Sequence, residues 1–153
     1  KGFVFIGLIK VGDEPKVIEY NVRMGDPETE VVLPRLKNDL VEIFQAIHQQ
    51  TLDTISIEID DRAATPVMLV SGGYPESYEK GKEIIGLDKV TDSILFHAGA
   101  VSNNGKVLTS GGRVMAVTSN GNTYKEAIKK SYQSISKIHF DKINYRTDIG
   151  FDL

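Results

Sequence analysis

Glu19, Asn21 and Arg23 stand two residues apart in the run Val17-Ile18-Glu19-Tyr20-Asn21-Val22-Arg23-Met24-Gly25-Asp26-Pro27-Glu28. Side chains alternate faces along a strand, so residues spaced by two share a side, about 7 Å apart at Cα. Val17, Glu19, Asn21 and Arg23 then form one row, and Ile18, Tyr20 and Val22 form an apolar row behind it. The carboxylate of Glu19 and the amide oxygen of Asn21 are hard donors suited to Mg²⁺ or Mn²⁺, which use one or two protein ligands and complete their shell with water and phosphate. Arg23 adds a planar fork that matches phosphate or carboxylate. A cation beside an anion clamp is the equipment of phosphoryl transfer, a reaction dominated by positioning and charge neutralisation. Spacing alone favours a solvated strand face with a surface Glu–Arg pair.

Gly25-Asp26-Pro27-Glu28 follows immediately. Asp26 reads as a helix N-cap with Pro27 at the first helical position, and Glu28 and Glu30 lie near the positive end of the dipole. The unpaired N–H groups of such a helix start would hold an anion near Arg23.

Other conspicuous residues carry less. Ser71-Gly72-Gly73-Tyr74-Pro75 and Ser110-Gly111-Gly112-Arg113 fit neither the P-loop nor the dinucleotide spacing and read as tight turns. His48, His97 and His139 lack metal-ligand spacing. Asp60-Asp61-Arg62 reads as a solvated loop, and Lys125, Lys129 and Lys130 as the wet face of a helix.

The elements that position these groups follow from apolar patterning. Phe3–Val11 and Lys16–Val22 are runs joined by Gly12-Asp13-Glu14-Pro15, a hairpin signal. Leu36, Leu40, Ile43, Phe44 and Ile47 recur with helical period, which predicts a helix from Asn38 to about Gln50, with Asp39 and Glu42 resembling a capping box. From Thr51 the texture changes to short β-like runs at Ile55–Ile59, Pro66–Ser71, Ser93–Ala98, Lys106–Thr109 and Arg113–Thr118. Asn104-Gly105 is a type I′ hairpin signal. Glycine-punctuated short strands suggest a small barrel or sandwich. Thr123 with Glu126 caps a last helix bearing Ile128, Tyr132, Ile135 and Ile138, with His139 at its end and Phe140–Leu153 as an irregular tail.

The 153 residues suffice for one domain or two small lobes, and a net charge of −3 gives no reason to expect nucleic acid or an anionic membrane surface as partner. No apolar run approaches the roughly 20 residues of a membrane span. With no cysteine in the chain, disulfides, thiolate metal sites and a cysteine nucleophile are excluded, which suits a cytoplasmic protein. The chain begins directly in a strand-like run and its first Met is Met24. That is the pattern expected of the C-terminal piece of a longer polypeptide.

Glu19-Tyr20-Asn21-Val22-Arg23-Met24-Gly25-Asp26-Pro27-Glu28-Thr29 resembles the signature of the phosphoribosylamine–glycine ligases. Other ATP-grasp ligases share Glu-x-Asn-x-Arg, and the Gly-Asp-Pro-Glu continuation points to the glycine ligase. Similar stretches recur at Leu36–Glu42, Ala64–Pro75, Phe96–Gly99, Gly111–Thr118 and Asp148–Gly150, so the resemblance extends over essentially the whole chain. Met24 stands where many members have an aromatic residue, and Asn120-Gly121-Asn122 replaces a more usual Gly-His turn.

The resemblance implies ATP-dependent joining of glycine to 5-phosphoribosylamine through a glycyl phosphate, giving glycinamide ribonucleotide, ADP and phosphate. It implies Glu19 and Asn21 as Mg²⁺ or Mn²⁺ ligands, Arg23 as the catalytic arginine at the carboxylate or acyl phosphate, and Gly25, Asp26 and Glu28 as the substrate-side loop. The implied fold is α+β: residues 1–50 as the end of an ATP-grasp domain, with residues 51–153 as a barrel-like or sandwich β lobe flanked by a helix. The N-terminal substrate domain and the ATP lid of such ligases would precede Lys1, so the expected partners are ATP, glycine, 5-phosphoribosylamine and the missing domains, and the piece alone is expected to be inactive.

Overall fold

The computed structural model describes residues 1–151 and divides into two compact units, Lys1–Asp60 and Asp61–Leu153. In the first, the alternating runs pair as an antiparallel hairpin of β1 (Phe5–Val11) and β2 (Glu14–Asn21), turning at Gly12-Asp13. The helix expected from Asp26-Pro27 begins later: α1 spans Thr29–Arg35, and Glu28, not Asp26, is its N-cap. Helix α2 (Leu40–Gln49) starts at Asp39, whose side chain accepts from Val41 N–H, and ends at Gln50 in the left-handed region. Its buried residues are Ile43 and Ala46, while Phe44 meets Phe3 edge to face at 6.1 Å.

Ile55–Ile59 is not a strand. It makes one bridge, Ile59 to Leu36, beside bonds from Lys37 N–H to Glu58 O (2.9 Å) and from Asn38 Nδ2 to Ser56 O (2.9 Å). Asp60 N–H donates to Arg35 O (2.7 Å), so residues 51–60 pack with the first unit, although the texture of the sequence changes at Thr51.

The second unit is built on an antiparallel sheet ordered β4 (Ile94–His97), β7 (Arg113–Gly121), β3 (Ala63–Ser71) and β8 (Ile143–Asn144). A hairpin of β5 (Ala100–Asn103) and β6 (Lys106–Thr109) turns at Asn104 and Gly105, both at positive φ as a type I′ turn requires. Backbone bonds carry the sheet into this hairpin, from Gly99 N–H to Arg113 O (2.7 Å) and from Ile84 N–H to Val107 O (2.8 Å). The unit is therefore a wrapped antiparallel β structure. Taken whole, the chain is mixed α and β, mostly sheet, with three α-helices among the described residues.

Helix α3 (Tyr124–Ile135) covers the sheet. Val67, Leu69, Met115, Val117, Ile135, Ile138 and Phe140 form the core. Its buried face is Ala127, Ser131, Ser134 and Ile135, with Tyr132 at the margin, because serine hydroxyls replace part of the expected apolar stripe. Ser131 Oγ donates to Thr65 O (3.0 Å), and Ser93 Oγ lies 2.6 Å from the hydroxyls of both Ser119 and Ser134, so the serine hydroxyls under the helix are paired.

The helix ends before His139, which is exposed and pairs through its backbone with Ile85 (2.9 and 3.1 Å). The tail is likewise more ordered than its sequence suggests: Phe140 is 1% exposed and β8 pairs with β3. Asp152 and Leu153 of that tail lie outside the described residues. Lys130 is half-buried rather than wet, reaching Glu126 (2.8 Å) and Asn120 O (3.2 Å).

Thr123 Oγ1 accepts from Glu126 N–H (3.2 Å), and the Glu126 carboxylate accepts from Asn122 N–H (2.9 Å). Thr123→Ala is expected to lower the stability of the chain by about 1 kcal/mol, the usual worth of such a cap. A shift of the urea midpoint at constant slope measures it, and an unchanged midpoint contradicts it.

Candidate functional site

The register of the hairpin decides which side chains share a face. Glu19 is opposite Gly7, Tyr20 opposite Ile6 and Asn21 opposite Phe5, an unbroken ladder that sets Glu19 and Asn21 on one side. Between Gly7 and Leu8 the register shifts, and Leu8 pairs with Val17. Ile18 is thus the extra residue of a bulge, and Val17 leaves the Glu19–Asn21 face. Gly7 gives Glu19 room: a Cβ there would lie 3.1 Å from Glu19 Cγ.

Two oxygen-bearing side chains, a carboxylate and an amide, project from alternate residues of one ladder. The amide nitrogen of Asn21 is buried and has no hydrogen-bond partner among the described residues. Among the described residues no three His, Cys, Asp or Glu side chains gather as a metal site, so the chain supplies no full cage. Two protein ligands completed by phosphate and water are the usual arrangement for Mg²⁺, and the pair fits it.

Arg23 lies beyond the end of β2, where the pleat no longer sets its face, and its Nη1 donates to Met24 O (3.1 Å). The expected anion cradle at the next helix is absent. Thr29 N–H donates to Gly25 O (3.0 Å), Glu30 N–H to Pro27 O (3.2 Å), and the N–H groups of Val31 and Val32 both to Glu28 O (3.1 and 3.0 Å). The turn consumes its own donors, so no row of open N–H groups remains. Gly25 is buried under its neighbours: a Cβ on it would collide with the Glu28 carboxylate and stand 3.2 Å from the Phe5 ring. Glu28 thus packs back over Gly25, and Asp26 lies in the exposed turn between them.

The apolar row behind the site is not core within this chain. Tyr20 is 68% and Val22 90% exposed, and Ile6, Leu8 and Ile18 are exposed with them. No helix among the described residues is long and apolar enough to cross a membrane.

Glu19 and Asn21 thus share one face of a strand that runs into a Gly-Asp-Pro-Glu turn, and a separate β-rich unit follows in the chain. Residues 64–152 match the family model described as phosphoribosylglycinamide synthetase, C domain. The chain is 44% identical, over 98% of its length, to the phosphoribosylamine–glycine ligase of Caldanaerobacter subterraneus, of which it covers 36%. It is 47% identical over 97% of its length to a bifunctional purine biosynthetic protein of Pichia angusta, covering 19% of that protein. The crystal structure of the phosphoribosylamine–glycine ligase of Thermotoga maritima superimposes with a TM-score of 0.76 at 36% identity, covering 97% of this chain and 37% of that one.

The chain belongs to the phosphoribosylamine–glycine ligase family and carries its C domain. It spans about a third of the length of the single-function relatives it matches.

Proposed function

We propose that this chain supplies the metal strand and C-terminal lobe of an ATP-dependent ligase that joins glycine to 5-phosphoribosylamine, and that it is inactive alone. The observation that carries the reading is the Glu19–Asn21 pair on one unbroken ladder, followed by Gly25-Asp26-Pro27-Glu28. Glu19 and Asn21 would hold Mg²⁺ or Mn²⁺. Such an ion would supply neutralisation of charge on the phosphate group being transferred. Arg23 then serves the glycine carboxylate or its acyl phosphate, a role its planar fork suits. Gly25, Asp26 and Glu28 line the substrate side. The Glu28 carboxylate packs back on Gly25.

The exposed apolar pairs Ile6–Tyr20 and Leu8–Val17 of the hairpin support a further part of the reading. A contiguous apolar strand face in water marks an interaction surface, and here its occupant would be the remainder of the ligase polypeptide, including the ATP lid. Residence in the cytoplasm and a place in purine biosynthesis belong to the same proposal. The names of the relatives support the second.

Asn21→Leu in a full-length ligase carrying this segment tests the metal reading. It removes the oxygen while keeping similar bulk, so the Mg²⁺ concentration for half-maximal turnover is expected to rise by about tenfold or more, as loss of a hard ligand weakens the site. An unchanged Mg²⁺ requirement contradicts a role for Asn21 at the metal.

A further inference from the structure

Of the seven asparagines in the chain, Asn104 and Asn120 each precede a glycine. That pairing has a chemistry of its own. The backbone nitrogen of the following residue can attack the asparagine side-chain carbonyl, and glycine, which has no Cβ, hinders the approach least. The two pairs meet opposite circumstances in the second unit.

Asn104 and Gly105 form the tip of the β5–β6 hairpin, at φ 49° and 76°. Both are exposed, as are their neighbours Ser102, Asn103 and Lys106. The last ladder pair is Asn103 with Lys106, so neither tip residue belongs to the ladder. Nothing lies within 4 Å of the place a Cβ on Gly105 would take. Rotation about this peptide therefore meets solvent alone.

Asn120 and Gly121 close strand β7 instead, paired with Ala64 and Ala63 of β3. Gly121 is buried, and a Cβ on it would stand 2.6 Å from Ala127 N and 3.0 Å from Thr123 O. The start of α3 is thus packed against it. Asn120 Oδ1 is buried, and Asn120 O accepts from the Lys130 ammonium (3.2 Å). Bringing Gly121 N onto the Asn120 side chain would unseat both the ladder and the helix start.

We propose that Asn104 is a site of self-modification, deamidating through Gly105 in the folded chain while Asn120 is protected. Gly105 N loses its proton to solvent base and bonds to Asn104 Cγ. The Cγ–Nδ2 bond breaks, and Nδ2 takes up a proton and leaves as ammonia. The product is a cyclic succinimide, which water reopens. Cleavage of the new Cγ–N bond leaves aspartate in place. Cleavage of the original C–N bond leaves isoaspartate, in which the main chain runs through Cβ and Cγ. The sum is one water consumed and one ammonia released, with no change of oxidation state.

The hairpin sets the consequence. Isoaspartate adds a methylene to the main chain of a two-residue loop whose twist is matched to its strands. The Asn103–Lys106 pair beside it is then lost. The base of the hairpin holds, because Thr109 N–H donates to Lys82 O (2.8 Å), Lys82 N–H to Thr109 Oγ1 (3.1 Å) and Ile84 N–H to Val107 O (2.8 Å). The damage is confined to the tip.

The test is to age the folded chain in isotopically labelled water at mildly alkaline pH and map its peptides by mass spectrometry. Labelled oxygen is expected at residue 104, as aspartate and isoaspartate, and at least about tenfold less at residue 120, a gap set by the cost of local opening. In denaturing urea the two rates should converge. Hydroxylamine, which cleaves succinimides, should cut the folded chain between Asn104 and Gly105 and spare Asn120–Gly121. Asn104→Gly, which suits the same turn, should abolish both signals at this position. In the aged chain, amide protection should fall at Asn103 and Lys106 and persist at Ile84 and Thr109.

A folded chain that takes up no label at residue 104, while the urea-unfolded chain does, overturns the proposal. So does equal labelling of residues 104 and 120 in the folded state. An isoaspartate-bearing chain with Asn103 and Lys106 still protected overturns the structural consequence.

Discussion

Glu19→Ala in a full-length ligase carrying this segment is expected to lower turnover by about 10²–10³-fold, the usual cost of removing one major electrostatic contributor to a transition state. The argument rests on what remains after the change. Asn21 would be the oxygen-bearing side chain left on that face of the Phe5–Gly7 stretch of the ladder, and a neutral amide holds a doubly charged ion poorly. Gly7, opposite Glu19, has no side chain to take over. Part of the loss should return at high Mg²⁺ or Mn²⁺, because weakened affinity is overcome by mass action, whereas a misfolded variant would not recover. Glu14→Ala is the matched control: Glu14 lies at the turn end of the same strand, paired with Lys16, and its loss should leave turnover alone. Normal turnover of Glu19→Ala at ordinary Mg²⁺ would sink the assignment of this strand.

The features that were legible in the sequence are those set by a few adjacent residues. Asn104-Gly105 dictates its turn because both positions require positive φ. Thr123 and Glu126 announce a helix start because their bonds reach only three or four residues. The Glu19–Asn21 pairing was legible for the same reason, since a regular strand needs only parity. Parity fails at a bulge, and nothing in Val17-Ile18-Glu19 marks Ile18 as the extra residue; the partner strand decides that. The helix start was missed because Asp26-Pro27 makes a turn whose Gly25 carbonyl takes the Thr29 N–H. The two serine-glycine-glycine loops looked like separate turns because their mutual bonds join residues some forty apart in the chain.

Phe140→Ala is expected to destabilise the second unit by about 3–5 kcal/mol, the range for deleting a fully buried aromatic side chain. Nothing in the local sequence foretells this, because Phe140 opens a stretch with no helical or strand period. Tertiary packing determines it instead. Helix α3 ends at Ile135, Ile138 drops into the core, and the His139 backbone is pinned on both sides by Ile85. Phe140 is thereby turned inward, 1% exposed, among Val67, Leu69, Ile84 and Ile143 of the core and its margin. Truncation leaves a void bounded by a main chain held by those bonds, so the surroundings can collapse little and the cost should fall at the upper end. Phe140→Leu, which keeps more of the volume, should cost less. The Ile143 N–H to Phe140 O bond (3.1 Å) lies at the start of β8, so the loss should also loosen β8, which a drop in amide protection at Ile143 would report. A Phe140→Ala chain that unfolds at the wild-type urea concentration, with Ile143 still protected, would show that the tail is not part of the cooperative core.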